Sequence, residues 1–371
     1  MRAGGPRLQP FARKWRVQAC IAMSCAAFFV ASFAGSFAAP GVIAQAAPAA
    51  DAGASVAVPS AFSFAVMGSV IDESDRGTRA VLHAIDDSPA RFVVHFGQSP
   101  PSSASCSAAG IERRRDALDA NPKPIVPVVA ASEWSACGGS GMDPADPAER
   151  LARVGDALFG TDQSLGQSRL RWIRQSSVPR FHRYRENLRW QMGSVLFVVS
   201  NLPDNNNNFR FGAGRNGEFE ERLIANRVWL ERAFRLAVER RLAGIVIFVD
   251  AAPRFGLPTR APDSSTHERD GYYEWKATLR DLASSFKGQV LLVQGHVVPR
   301  SPPLNESDHP LRDANGKPLA HFTRVALPDV SNGGSWLRID VEPKNPNLFR
   351  IGAERVFDDP SGELYGPARV K

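Results

Sequence analysis

Arg91-Phe92-Val93-Val94-His95-Phe96-Gly97-Gln98 is the stretch from which the fold is read. Phe92, Val93 and Val94 form an apolar run without alternation, and Gly97 stops it. Such a run predicts a buried strand in a sheet covered on both faces. In sheets of that kind the chemistry gathers where strands end and loops begin. The residue just past this end is Gln98, a neutral amide.

Working outward, residues 62–70 (FSFAVMGSV) read as a preceding strand and 78–86 as a helix carrying Val81, Leu82 and Ile85 on one side. Downstream, the pattern predicts a Ser/Pro loop holding Cys106, a helix over 108–120, a strand over 125–130 and a helix over 143–159. Residues 160–191, rich in Arg and aromatics, read as irregular, and 204–208 as a low-complexity loop. Strands are expected at 195–199, 245–249 and 290–293. The helices between them are expected at 218–242, where Phe219, Leu223, Leu230, Phe234 and Ala237 share a face, and at 272–286. The apolar runs at 322–327 and 336–341 have no helix between them. Alternation followed by consecutive strands predicts α/β architecture, a layered α/β sandwich rather than a barrel.

The chain begins differently. Residues 1–16 carry Arg2, Arg7, Arg13, Lys14 and Arg16 with no acid, and an apolar segment runs to about residue 43 before Ala44-Gln45-Ala46. That order predicts a signal peptide over 1–46, hence an exported, periplasmic or secreted protein. Contact with a membrane is expected only through this segment if it stays uncleaved. Residues 47–61, rich in Ala, Pro and Ser, read as a disordered leader before a domain over 62–371. The formal charge is +7; removing the five leader cations leaves +2, so no nucleic-acid partner is expected. The Arg-rich segments 111–115 and 232–241 read as solvated faces.

Beyond the leader only Cys106 and Cys137 remain. An even pair in an oxidising compartment reads as one disulfide rather than two isolated thiols. It would close a loop of about 30 residues and contribute on the order of 3–4 kcal/mol.

Gly212-Ala213-Gly214-Arg215-Asn216-Gly217 matches GxGxxG, but no strand runs into its first glycine and no acidic residue follows at a strand end. It reads as a flexible loop and helix entry. Asn305-Glu306-Ser307 fits a glycosylation triplet by chance frequency. No histidines pair at metal-ligand spacing.

The distributed pattern is more informative. Strand ends read Val66-Met67-Gly68-Ser69, His95-Phe96-Gly97-Gln98, Ala130-Ala131-Ser132-Glu133-Trp134 and Val293-Gln294-Gly295-His296-Val297-Val298. With YRENLRW at 184–190, NRVWL at 226–230 and FTRV at 322–325, their order resembles an exported branch of the calcineurin-like metallophosphoesterases. The resemblance covers roughly residues 62–349 and implies that family's layered α/β/β/α sandwich. In the family two divalent cations, held by Asp, Asn and His, activate water for attack on phosphorus.

The matching positions here depart from that set. Ser69 and Gln98 stand for Asp, Ser132 for Asn, and Gln294 and Val298 for His, while Ala131 replaces an acidic residue. Neutral amides, hydroxyls and an alkyl group offset no cationic charge. No cofactor is therefore expected. The sequence predicts an inactive, pseudo-phosphoesterase cleft lined by Ser69, Gln98, Ser132, Gln294, His296 and Val298, open to an unknown ligand or envelope protein. The alternative is a weak metal-dependent phosphoester hydrolase with a rearranged site drawn from Asp72, His95, Glu133, Asp250 and His296. Only that reading requires a metal pair of Mn, Fe or Zn.

Overall fold

The computed structural model describes residues 61–68, 76–97, 102–138, 145–210, 216–255, 270–296, 310–327, 334–357 and 364–369. The signal peptide and leader expected at 1–61 lie almost wholly outside them, as do Ser69, Asp72, Gln98, Val298 and most of the GxGxxG stretch. Among the described residues no helix is long and apolar enough to cross a membrane.

The described chain is a mixed α/β fold with two mixed sheets. The first has the order β12-β11-β10-β1-β2-β3. Its strands are β1 (Phe62–Gly68), β2 (Ala90–Phe96), β3 (Ile125–Val128), β10 (Ser335–Val341), β11 (Phe349–Phe357) and β12 (Leu364–Arg369). β1, β2 and β3 run parallel, and β10 joins β1 antiparallel. The second sheet has the order β4-β5-β6-β7-β8-β9. It comprises β4 (Ile173–Arg174), β5 (Leu188–Met192), β6 (Val195–Val199), β7 (Gly244–Val249), β8 (Gln289–His296) and β9 (Phe322–Leu327). From β6 to β9 the pairing is parallel.

β5 corrects the reading of 160–191 as irregular. Its Leu188 and Trp190 are buried while Arg189 and Gln191 alternate with them, and it forms an antiparallel hairpin with β6. The period-two signal is present but diluted by arginine.

The unbroken apolar run of β7, GIVIFV, is buried throughout because both of its faces are covered. On one face the two sheets meet in an aromatic cluster. Phe64 stacks on Phe92 at 5.1 Å, and Phe197 meets both edge-on at 5.3 and 5.2 Å. Trp190 stacks on Phe197 at 5.1 Å and on Phe248 at 6.1 Å. Offset and edge-on rings add attraction beyond simple burial. On the other face, Leu196, Val198, Ile245, Ile247, Val290 and Leu292 pack against α5 (Gly217–Glu239) and α6 (Tyr273–Ser285).

α1 (Arg76–Asp86), α2 (Ser103–Cys106), α3 (Ala108–Asp119) and α4 (Pro147–Leu158) follow the strands of the first sheet. α4 starts where its sequence directs. Asp146 accepts the Ala148 amide at 2.8 Å and Pro147 opens the first turn, so the helix begins later than the expected residue 143. Cys106 lies in the short α2 rather than in a loop. It is bonded to Cys137, 31 residues away. The disulfide ties the segment after β2 to the segment after β3, and both sulfurs lie against the Ser132 carbonyl oxygen, at 3.4 and 3.1 Å.

Candidate functional site

The described parts of the expected cleft converge where β3, β6, β7 and β8 end. Asp250 directly follows β7 and is buried. Its Oδ2 accepts the backbone amide of Ala131 at 2.7 Å and that of Asp204 at 3.2 Å. One carboxylate thus joins the loop after β3 to the loop after β6. Burial pushes its pKa up from 3.8 to about 7, with the Asp204 and Glu133 charges adding to the rise and the two amide bonds opposing it.

Gln294 is paired in register with Val249, and its amide Nε2 donates to the Ala251 carbonyl at 3.4 Å. Gly295 beside it has no room for a Cβ, which would collide with the Asp250 carbonyl oxygen. Ser132 is buried in the short 3-10 turn Ala131–Glu133. For His296 the backbone belongs to β8.

His95 and Glu133 have other work. Arg114 of α3 reaches between them, donating to Glu133 Oε1, to the His95 carbonyl at 3.2 Å and lying 3.3 Å from His95 Nδ1. Glu133 Oε2 accepts the Ala130 amide at 2.9 Å. Gly97 is needed here as well, because a Cβ would occupy the space of that carboxylate. Burial, reinforced by the Arg114 charge, holds the His95 pKa well below its usual value, so the ring is neutral. Of the expected rearranged set, Asp72 and the His296 side chain lie outside what is described, and the other three have internal partners. Glu133 and His95 bind Arg114, and Asp250 binds backbone amides. Among the described residues no three His, Cys, Asp or Glu side chains form a group that could hold a metal.

Sequence reasoning missed the neighbours that shape this edge. The run Asn205–Asn208, read as low complexity, is a specific turn. Asn206, Asn207 and Asn208 take φ of 53°, 57° and 53°, the left-handed region that asparagine tolerates better than other side chains. Each side chain has its own partner. Asn205 Oδ1 accepts from Ser135 Oγ at 3.0 Å, and Asn206 Oδ1 accepts the Gly271 amide at 2.9 Å. Asn207 accepts from Arg222 and donates to the Gly271 carbonyl at 2.8 Å. Asn208 donates to Glu218 at 2.7 Å. Four successive residues able to hold a positive φ were the available signal.

Arg222, fully buried, continues this wall. It pairs with Glu218 at 2.6 Å and places its guanidinium 5.4 Å from the Trp134 ring centroid. Tyr272 donates its hydroxyl to the Asp204 carbonyl at 2.8 Å, and burial first, then the Asp204 charge, raises its pKa. Beyond the wall, a cavity of about 900 Å³ opens between the first turns of α4 and α5, with Asn208, Tyr184, Arg185 and Glu221 in its lining.

The arrangement supplies buried amides, hydroxyls and one carboxyl titrating near neutrality. It can exchange hydrogen bonds with a hydroxyl or a phosphate oxygen. Among the described residues the donors at this edge, Asp250 with the neutral Ser132 and Gln294, do not make up the set that a pair of divalent cations requires. No protein-family model matches the chain, and no curated protein matches it.

Proposed function

We propose that this chain is an exported protein of the calcineurin-like metallophosphoesterase fold, an α/β/β/α sandwich, that no longer performs the reaction. It binds a ligand or an envelope protein through the former catalytic cleft. The reading is supported by two mixed sheets packed face to face with helices outside them, by the collinear strand-end motifs, and by the buried disulfide, which suits an oxidising compartment. The observation that carries it is the commitment of Asp250, Glu133 and His95 to internal partners. With Glu133 already neutralised by Arg114, the described carboxylates leave Asp250 alone to offset the charge of a metal pair.

Metal analysis of the purified protein, with hydrolysis of an aryl phosphate in the presence and absence of Mn²⁺, tests this. Substoichiometric metal and no turnover above buffer are expected. Stoichiometric metal that disappears in His296→Ala, together with turnover, would replace the proposal with the rearranged hydrolase.

A further inference from the structure

The cavity of about 900 Å³ between α4 and α5 lies apart from the strand-end cleft. Its volume falls in the upper part of the roughly 300–1,000 Å³ range of sites that enclose a small molecule. Tyr184 lines it, 8% exposed, with its ring held against Phe181 and Ala225. The Tyr184 hydroxyl makes no hydrogen bond to a described residue, and it is not one of the enclosed unmet atoms, so it opens on the cavity. Tyr272, by contrast, donates its hydroxyl to the Asp204 carbonyl. Burial, then the charges of Glu218 and Glu221, raises the Tyr184 pKa and keeps the hydroxyl neutral. Asn208, also buried, donates Nδ2 to Glu218 at 2.7 Å, and its Oδ1 is likewise neither bonded to a described residue nor enclosed.

The charges around these two groups cancel. Arg185 pairs with Asp156, Arg183 lies 3.8 Å from Glu221, and Arg222 holds Glu218 at 2.6 Å. Asp146, which caps α4, and Arg210 remain with opposite signs. An ion of either charge therefore gains little by entering. An apolar ligand would strand the Tyr184 hydroxyl and the Asn208 oxygen, which is unfavourable. An extended peptide pairs its backbone with a sheet edge, and none of the described residues lining this cavity belongs to a strand. On the α4 side, Ala148 and Ala152 stand about one turn apart and exposed, and with Leu151 they form a low apolar strip. A sugar ring has both features that these walls ask for, an apolar C–H face and hydroxyls around its rim. Each hydroxyl donates and accepts, which suits a phenol, an amide oxygen and ion pairs with lone pairs to spare.

We propose that this cavity binds a neutral saccharide, with Tyr184 and Asn208 hydrogen-bonded to its hydroxyls and the Ala148–Ala152 strip beneath one ring face. The inference needs neither the family resemblance nor the fate of the metal ligands, so it stands or falls apart from the cleft.

The test applies the full chain to an array of neutral and acidic oligosaccharides, followed by calorimetric titration with the best-retained oligosaccharide in free form. Retention by neutral members and saturable binding in solution are expected. Tyr184→Phe removes only the hydroxyl and should weaken binding about fivefold, the worth of one neutral hydrogen bond. Its urea midpoint should match the parent, because no internal hydrogen bond is lost. Ala152→Trp, at an exposed position, should fill the space above the strip and abolish binding. Retention by no neutral oligosaccharide, preference for acidic ones, or parental affinity in Tyr184→Phe or Ala152→Trp overturns the proposal.

Discussion

Asp250 at the end of β7 accepts the Ala131 amide from beyond β3, joining the two sheets through one 2.7 Å hydrogen bond. Its carboxyl is raised to about 7, so ionisation is less favourable in the fold than in the unfolded chain. The stability linked to this group is full below about pH 4 and is lost as pH rises through about 7. Three pKa units correspond to on the order of 4 kcal/mol. Asp250→Asn keeps an acceptor for both amides without the charge, so it should unfold at higher urea than the parent at pH 8. Asp250→Ala, which strands the two amides, should unfold earlier at every pH.

Glu186 gives a second pH dependence. Asn201 Nδ2 donates to its Oε1 at 2.9 Å, while Glu186 Oε2 and Asn201 Oδ1 have no partner among the described residues. A proton on Oε2 would complete both, pairing acid with amide head to head. Burial raises this carboxyl to about 7, against the pull of the Asn201 bond, a backbone bond and Arg222 and with the push of Glu218. Stability from this pair is present below about pH 4.5 and lost as pH rises through about 7. Glu186→Gln supplies a permanent donor and should flatten that part of the urea-midpoint profile; an unchanged slope would exclude the pairing.

Arg114 should matter more than its single position suggests. Arg114→Met leaves Glu133, only 3% exposed, with its charge unpaired, and should cost about 3–5 kcal/mol in chemical denaturation. Adding Glu133→Gln in the same chain should recover most of that loss.

The asparagine turn predicts an ordered ranking. Asn207→Ala loses the Arg222 acceptor and the Gly271 donor and adds a left-handed backbone penalty, about 3 kcal/mol together. Asn207→Gly keeps the φ of 57° and should recover about 1 kcal/mol of it. Equal losses for the two substitutions would mean that the backbone penalty plays no part.

Much of the architecture was legible because it is periodic. The apolar runs at β2 and β7 and the spaced faces of α4 and α5 announce themselves within a few residues. β5 was missed because Arg189 and Gln191 break up its apolar half. The site was less legible for a different reason. Asp250 and Ala131 stand 119 positions apart, and Arg114 and Glu133 19 apart, so no local pattern relates them. Glu133 and His95 could be singled out by residue type, but type does not reveal that an arginine already holds them. The pairing of Cys106 with Cys137 was readable, since only two cysteines follow the leader.

Removing that disulfide by Cys106→Ala/Cys137→Ala should lower stability by about 3–4 kcal/mol, measured by urea denaturation of the variant beside the oxidised parent. A much smaller change would mean that the unfolded chain is already constrained there.

The two sulfurs also keep time. Cys106 and Cys137 are 1% and 0% exposed, so a thiol reagent in solution meets the bond only after this corner of the molecule has come apart. The rate at which a reductant consumes the disulfide therefore counts openings of the junction between α2 and the turn at Ser132. Anything that settles into the neighbouring cleft and braces that turn will slow the count, which makes reduction kinetics an assay for an occupant whose chemistry need not be known beforehand.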